Sequence, residues 1–480
     1  MSLKQQTLTG LTWSVVDNFS NLGIQFVVGI ILARLLSPRE FGLVGMIAVF
    51  ISVSLLFIDS GFSQSLIRKK ECNHADYSTV FYFNLVASLA LYVVLFFLAG
   101  PISLFFNEPK LTDIIRVVGI GLIIGSLSII QRTILVKKID FKLQTKISVV
   151  SSGVSGVVAI YLALAGFGVW SLVWKTIAAN LLTTALLWAW NRWHPVMLFD
   201  YQAFKEHFRF GYKLLLSNLI NTIYQNAYYL LIGKYFSAVQ LGFYVKAEEF
   251  SNLPSSNITN VIQRVSYPVL SQLQDQPQKL KNGFQKIIKS TMFISFVLMM
   301  GLAAAAKPLV ITLIGQKWET SVTYLQLLCF SAMLYPLHAL NLNVLNVMGR
   351  SDLALKIEII KKTLIIPIVL GTMLLGIKAM LIGMIFISFA AFFLNAYYSG
   401  RLINYGIKEQ VSDILPSFLT GAAVGSLVFL EAGLVKSSYP VILAVQTASG
   451  ALLTILISES FRYGPYLEMK SLINDKLKRR

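Results

Sequence analysis

Three amide side chains lie on one face of the first long apolar segment in this chain of 480 residues. Asn18, Asn21 and Gln25 are three and four residues apart, a spacing that aligns them along one stripe of an α-helix. The same spacing returns 200 residues later in Asn218, Asn221 and Gln225. Hydrocarbon offers an amide no hydrogen-bond partner, so both stripes must face protein or water. They could join neighbouring helices, but their recurrence favours a wet cavity between the two related halves of the chain, in which amides bind a polar substrate.

Basic side chains inside apolar segments could bind an anionic substrate, since Arg pairs with phosphate through two hydrogen bonds and Lys acts as a point charge. Lys175, in "GFGVWSLVWKTIAANLL", is the deepest of them and is the strongest candidate. Its alternative role is a salt bridge to a neighbouring helix or a long stem that reaches the membrane surface. Arg116 follows Asp113 by three residues, so a local ion pair is the simpler interpretation there.

Two further cations, Arg34 and Lys234, are related by the same offset of 200 residues. Arg34 follows Gln25 by about 180° of rotation on a straight helix. We therefore expect it to face the lipid headgroups rather than the amide stripe. Lys246 is a fifth cationic candidate, and Glu249, three residues later, is its simplest partner.

Three carboxylates are candidates for coupling transport to a proton or sodium gradient. Asp17 adjoins Asn18 in the first segment, whereas Glu248 and Glu249 lie in the eighth, shortly before Pro254. A proline permits a helix to kink at that point. Acidic residues within membranes often mark proton relays, but they also serve as structural partners.

No catalytic or metal-binding pattern accompanies these residues. The four histidines are scattered, the two cysteines lie in unlike contexts, and no glycine-rich phosphate loop is followed by Lys and Ser or Thr. We therefore expect no enzyme activity, no cofactor and no metal site.

The elements that carry the candidate residues are membrane-spanning helices. The chain is 56% hydrophobic and 13% charged, whereas soluble domains average about 45–50% and 25%. Fourteen apolar runs are candidates to cross a bilayer, which takes about 20 helical residues. Their centres lie near Ile24, Val49, Ala90, Ile123, Gly156, Ala179, Tyr224, Phe250, Val297, Met333, Val369, Phe386, Ala422 and Ser449. The predicted fold class is all-α integral membrane.

The net charge of +19 indicates membrane topology rather than nucleic-acid binding, because Lys and Arg concentrate in short connecting segments. About thirty basic residues lie on one side if the amino terminus is cytoplasmic, which satisfies the positive-inside rule. An even number of spans then places both termini in the cytoplasm.

A repeat organises the chain. "IILARLLSPREFGL" (30–43) aligns with "LLIGKYFSAVQLGF" (230–243), and "GFGVWSLV" (166–173) with "GIKAMLIG" (376–383). Six spans separate the first pair of segments, so both enter the membrane in the same direction, as in transporters with parallel repeats. We predict one six-helix lobe over 1–200, a second over 201–410, and a final helix pair with a basic tail over 411–480.

The chain resembles the Wzx-type polysaccharide-transport flippases of the multidrug/oligosaccharidyl-lipid/polysaccharide exporter superfamily, especially the colanic-acid-exporter-like branch. The matching stretches cover almost the whole chain in order. They are "LARLLSPREFGLVGM" (32–46), "DSGFSQSLIRKKE" (59–71), "NVIQRVSYPVLSQLQ" (260–274), "GQKWETSVTYLQLL" (315–328), "VMGRSDLALKIEIIKK" (347–362) and "INYGIKEQVSDILPSF" (403–418).

The resemblance implies two lobes around a central cavity and a cargo of undecaprenyl-diphosphate-linked oligosaccharide, flipped across the bacterial inner membrane for surface polysaccharide assembly. It also implies a polysaccharide polymerase and other assembly proteins as candidate partners. A cation-coupled multidrug antiporter on the same fold is the alternative, although Lys175 favours an anionic cargo. A glycosyl-ligase is a weaker alternative, because the predicted outer loops are short.

Overall fold

The apolar runs fold into long α-helices whose ends are set by short polar signals. Pro38 begins the second helix, where the Glu40 carboxylate accepts hydrogen bonds from the Ser37 backbone N–H at 2.6 Å and its hydroxyl at 2.9 Å. Asn73 and Asp76 cap the fourth helix reciprocally, each side chain accepting from the other's backbone N–H. Such bonds satisfy amides that the first helical turn leaves without partners.

A computed structural model describes residues 3–191, 193–467 and 470–471, and within these it contains helices and no strand. The chain divides into two compact units, Met1–Gly242 and Phe243–Arg480. The lobe boundaries that the repeat suggests, at 200 and 410, stay a prediction.

The first unit contains nine helices and the first turn of a tenth among the described residues. They are α1 Leu3–Leu35, α2 Pro38–Asp59, α3 Phe62–Arg68, α4 His74–Phe106, α5 Leu111–Lys137, α6 Phe141–Leu164, α7 Val169–Trp190, α8 Tyr201–Gln225, α9 Ala227–Tyr235 and α10 Ala238–Ser271. In this unit α4 packs on α5, and α6 packs between α1 and α7. Gly156 permits the close approach of α6 to α1, because a Cβ there would lie 2.5 Å from Val28 Cγ2.

The second unit contains the rest of α10 and the remaining helices. They are α11 Pro277–Ala304, α12 Ala306–Ile314, α13 Glu319–Ala332, α14 Tyr335–Val347, α15 Ser351–Met373, α16 Ile377–Ile403, α17 Ile407–Leu434 and α18 Tyr439–Ser460. Helix α17 packs tightly on α11, where Gly421 and Gly425 lie against Phe296 and Met300. The final pair α17–α18 therefore packs within the second unit.

Helices overlap all fourteen predicted spans, but two of the spans are interrupted. The seventh breaks at Asn226, between α8 and α9, where the side-chain amide donates to the Thr222 carbonyl at 2.8 Å. The tenth breaks at Met333 and Leu334, between α13 and α14 and just before Pro336, whose ring nitrogen cannot donate within a helix. Apolar runs alone do not distinguish such breaks from continuous helices.

Eleven segments within the described residues are long and apolar enough to span a bilayer. The three predicted spans outside this set are the seventh, eighth and eleventh, which form α8–α9, α10 and α15. All three carry charged or amide side chains along their length. Their polarity explains why composition marks them less clearly than the other spans.

The repeat has a structural counterpart. Helices α2 and α10 begin at Pro38 and Ala238, 200 residues apart as the aligned segments predict. The second pair of aligned segments also lies at helix starts, where Gly168 directly precedes α7 and Gly376 directly precedes α16, although the alignment pairs Gly376 with Gly166. The first halves of the repeats differ, because α1 is continuous where its counterpart is broken at Asn226.

Candidate functional site

Polar side chains of α1 and α6 meet inside the first unit. The Asn21 amide donates to Asp17 Oδ1 at 2.7 Å and to Ser148 Oγ at 3.0 Å, while Ser152 donates to Asn21 Oδ1 at 2.8 Å. Ser148 also donates to the Asp17 carboxylate. Part of the predicted amide stripe therefore joins two helices, which was one of its two proposed roles.

The same residues line a polar cavity of about 320 Å³ among α1, α5, α6 and α7. The predicted cavity lies between the two halves of the chain, so this cavity within the first unit does not test that role of the stripe, which stays a prediction. The lining residues are Asp17, Asn21, Gln25, Arg132, Gln144, Ile147, Ser148, Ser151, Ser152, Ala179, Thr183 and Leu187.

Arg132 gives the cavity its positive charge. It lies in the last turns of α5, next to the buried Gln131, whose amide donates to the Trp193 carbonyl at 2.9 Å. The Asp17 carboxylate interacts electrostatically with the Arg132 guanidinium. Opposite charges on two helices therefore face one polar cavity, a combination that suits a ligand with both hydroxyl and charged groups.

Two buried polar atoms of α6 complete the cavity. Gln144 Oε1 and Ser151 Oγ have no hydrogen-bond partner among the described residues. Buried polar atoms are usually paired, so atoms without partners next to a cavity are candidates for binding water or a ligand.

The remaining predicted amides lie elsewhere. Asn18 is exposed on α1 and is not among the cavity residues. In α8, Asn218 is partly buried, whereas Asn221 and Gln225 are exposed, and none of them lines this cavity. The repeated stripe thus has different surroundings in its two copies, and a role for the second copy in binding stays a prediction.

The predicted cations of the first unit lie outside the lining of this cavity. Lys175 is partly buried on α7, one turn before the cavity residue Ala179, and is not among the lining residues. The Arg116 guanidinium lies 4.5 Å from the ring centre of Phe96. Lys234 Nζ donates to the Phe105 carbonyl at 2.6 Å and lies 4.5 Å from its ring centre. Arg34 is exposed near the end of α1.

In the second unit, the predicted ion pair in α10 is present. Lys246 is 3% exposed, and its Nζ lies 2.7 Å from Glu249 Oε2. Glu248 accepts a hydrogen bond from the Tyr244 hydroxyl at 3.0 Å. Binding of substrate or of a coupling ion by these residues stays a prediction.

The residues that α5 and α6 contribute to this cavity were not among the predicted site residues. Ser148, Ser151, Ser152 and Ser155 follow a helical period, so the signal for a second polar stripe was present in the sequence. Arg132 lies close to a cluster of lysines, so a count of loop charges assigns it to a cytoplasmic segment rather than to a cavity.

A bundle of apolar helices that encloses a charged, hydroxyl-rich cavity is the architecture of a membrane transporter. The model of the family described as "Polysaccharide biosynthesis protein" matches residues 31–323, and the chain belongs to this family. It is a multi-pass membrane protein whose resemblance to the Wzx-type polysaccharide-transport proteins is confirmed, and its curated relatives are named for polysaccharide biosynthesis.

Two curated relatives cover most of the chain. The teichuronic acid biosynthesis protein TuaB of Bacillus subtilis (strain 168) is 27% identical over 94% of this chain and 95% of its own length. The lipopolysaccharide biosynthesis protein WzxC of Escherichia coli (strain K12) is 25% identical over 81% of this chain and 79% of its own.

Solved structures share the fold at low sequence identity. The lipid II flippase MurJ, in an inward closed conformation, matches with a TM-score of 0.75 at 13% identity, over 94% of this chain and 98% of that one. An inward-facing multidrug resistance MATE family transporter matches with a TM-score of 0.62 at 15% identity, over 80% and 95%. The fold class expected from the sequence is thereby confirmed.

Proposed function

We propose that this protein is a flippase for an isoprenoid-diphosphate-linked oligosaccharide, which it moves from the cytoplasmic to the outer leaflet of a bacterial inner membrane. Membership of the polysaccharide biosynthesis family supports a glycan cargo. The observation that carries the proposal is the cavity of the first unit, where Asp17, Asn21, Gln25 and Arg132 meet the hydroxyl groups of α6.

The physical task explains why such a cavity is needed. A glycan headgroup must cross about 30 Å of hydrocarbon, and an unpaired charge at its centre costs several kcal/mol. Amides and hydroxyls replace the water that sugar hydroxyls lose, and a guanidinium pairs with an anionic group. The lipid tail remains in the bilayer throughout.

The two helical units would move the cargo by alternating access, with the cavity open to one leaflet at a time. Asp17, Glu248 and Glu249 are the residues we propose to test for coupling to a proton or sodium gradient. A polysaccharide polymerase is the class of partner that would consume the flipped product.

The test is flipping by the full chain in proteoliposomes that contain a fluorescent, isoprenoid-diphosphate-linked oligosaccharide. Chemical quenching from outside measures how much of the probe reaches the outer leaflet. We expect faster exchange than in protein-free liposomes, and slower exchange for Asp17→Ala. Asn18→Ala is the matched control, because Asn18 adjoins Asp17 in α1 but lies outside the cavity.

Absence of flipping under proton, sodium and zero gradients would contradict the proposal. The alternative, a multidrug antiporter, predicts instead that the same liposomes move cationic dyes against a cation gradient. Dye transport without lipid flipping would favour that alternative.

A further inference from the structure

The Arg132 guanidinium is accessible and has unused hydrogen-bonding capacity. Arg carries five N–H donors, and none of the described residues accepts a hydrogen bond from Arg132. Asp17 interacts with it electrostatically, but Asp17 Oδ1 already accepts hydrogen bonds from Asn21 and Ser148. The donors of Arg132 are therefore available to a ligand in the cavity.

The acceptors and hydroxyls around Arg132 fit a sugar ring. Gln144 Oε1 and Ser151 Oγ are buried without partners among the described residues, and Gln25 and Thr183 line the same cavity. Sugar hydroxyls both donate and accept, so they can satisfy an amide oxygen and a serine hydroxyl together. The cavity volume of about 320 Å³ is of the scale of a small saccharide rather than a whole repeat unit.

The charges favour a carboxylate on the sugar over the diphosphate of the lipid carrier. Asp17 and Arg132 are the only acidic and basic residues in the described lining, so the formal charges there cancel. A diphosphate carries more than one negative charge and is attached directly to the isoprenoid tail, which must stay in lipid. A sugar carboxylate carries one charge, is planar, and matches two parallel N–H···O bonds from a guanidinium.

We propose that Arg132, with Gln144 and Ser151, forms a subsite for a carboxylate-bearing sugar, such as a uronic acid, within the transported glycan. This inference rests on the proposed flippase function and specifies the class of its substrate. Arg132 binds the carboxylate, while the α6 groups and the amides of α1 bind the ring hydroxyls.

Equilibrium binding tests the subsite without requiring transport. Two soluble disaccharides that differ only in a terminal glucuronic acid or glucose are titrated into the full-length protein in detergent. We expect the acidic disaccharide to bind at least about tenfold more tightly, as charge-assisted hydrogen bonds predict. Arg132→Gln should abolish the preference, and Arg132→Lys should retain part of it by keeping the charge.

Arg116→Gln is the matched control. Arg116 lies in the same helix, but its guanidinium stacks on Phe96 and is outside the cavity. The preference should survive this change. Equal dissociation constants for the two disaccharides in the wild-type protein would overturn the subsite, as would a preference that persists unchanged in both Arg132 variants.

Flipping of the corresponding lipid-linked disaccharides is measured separately in proteoliposomes. Flipping of both lipids without any binding preference would overturn the subsite and leave the flippase proposal standing. A binding preference for the acidic sugar without flipping of either lipid would contradict the flippase proposal and support the subsite.

Discussion

Gly42 and Gly242 make reciprocal backbone contacts between the first turns of α2 and α10. A Cβ atom at Gly42 would lie 1.7 Å from the carbonyl oxygen of Ala238, and one at Gly242 would lie 1.8 Å from that of Pro38. No side chain fits at either distance. The repeated sequence therefore encodes a crossing of two equivalent helix starts, in which each glycine packs against the other helix.

Gly42→Ala should destabilise this crossing. The methyl group would overlap a backbone carbonyl, which cannot rotate away, so the helices must separate. Overpacking of this kind typically costs about 1–3 kcal/mol, and we expect the thermal unfolding midpoint in detergent to fall by several degrees. Gly242→Ala should behave in the same way, because its contact is equivalent.

Gly125→Ala is the control for that experiment. Gly125 lies within α5, and a Cβ there would meet no atom within 4 Å. Since alanine favours helix over glycine by about 1 kcal/mol, its unfolding midpoint should stay the same or rise. Equal midpoints for Gly42→Ala and Gly125→Ala would show that the crossing does not contribute to stability.

Asn21→Leu should destabilise the first unit more than Asn18→Leu. The Asn21 amide bonds to Asp17 and Ser148, and its oxygen accepts from Ser152, so leucine leaves several polar groups in the helix interface unpaired. Each such loss costs about 1–3 kcal/mol. Asn18 is exposed on α1, so leucine there should be nearly neutral. Thermal unfolding of both variants in the same detergent decides the comparison, and a larger effect at Asn18 would contradict it.

The helical architecture was predictable because the bilayer simplifies the problem. The fold is constrained independently by long apolar runs, by the charge bias between loops, and by a repeat in which polar residues are identical at equivalent positions. The start of α10, 200 residues after that of α2, shows how directly the repeat determines an element. By contrast, hydropathy does not report the break of the seventh span at Asn226, between α8 and α9.

The candidate site was predictable only in part. Periodicity identified Asn21 and Gln25, because helical spacing determines which residues of one helix share a face. It could not show that the α6 serines and Arg132 face them, since contacts between helices depend on packing rather than on spacing. Asn18 illustrates the same limit, because it shares a helix face with Asn21 and Gln25 but does not line the cavity.

Asp76→Ala should unfold the first unit more easily by about 3 kcal/mol, as expected when a buried ion pair loses one partner. Asp76 is 1% exposed, and its Oδ1 lies 2.9 Å from Lys69 Nζ and 3.3 Å from His207 Nε2. Glu206 also pairs with Lys69 at 2.9 Å, but on the surface. Glu206→Gln should therefore change stability by about 1 kcal/mol or less. Equal effects of the two substitutions, measured by thermal unfolding, would contradict this account.

The ion pair of Lys69 should also give stability a pH dependence. Burial lowers the pKa of Lys69, but hydrogen bonds and charges from Asp76 and Glu206 outweigh it and raise the pKa above its ordinary value of 10.5. Because the pKa of Lys69 is higher in the folded protein than in the unfolded chain, its ion pair contributes fully to stability at a pH below the unfolded-state pKa. This contribution is lost as the pH rises through the folded-state pKa. We therefore expect the unfolding midpoint of the wild type to fall more than that of Lys69→Met between about pH 9 and 11.5, a range that brackets the ordinary pKa of lysine. Parallel curves would exclude this contribution.

Cys72 should be the thiol that an impermeant maleimide labels in the folded protein. It is partly exposed in the turn between α3 and α4, whereas Cys329 is 1% exposed within α13. Because the predicted topology places that turn in the cytoplasm, inverted membrane vesicles should label and intact spheroplasts should not. Cys72→Ser should remove the signal, and Cys329→Ser should leave it. Labelling of intact spheroplasts would reverse the predicted orientation, and would place the basic turn that contains Lys69 on the outer side of the membrane, against the charge bias of the whole chain.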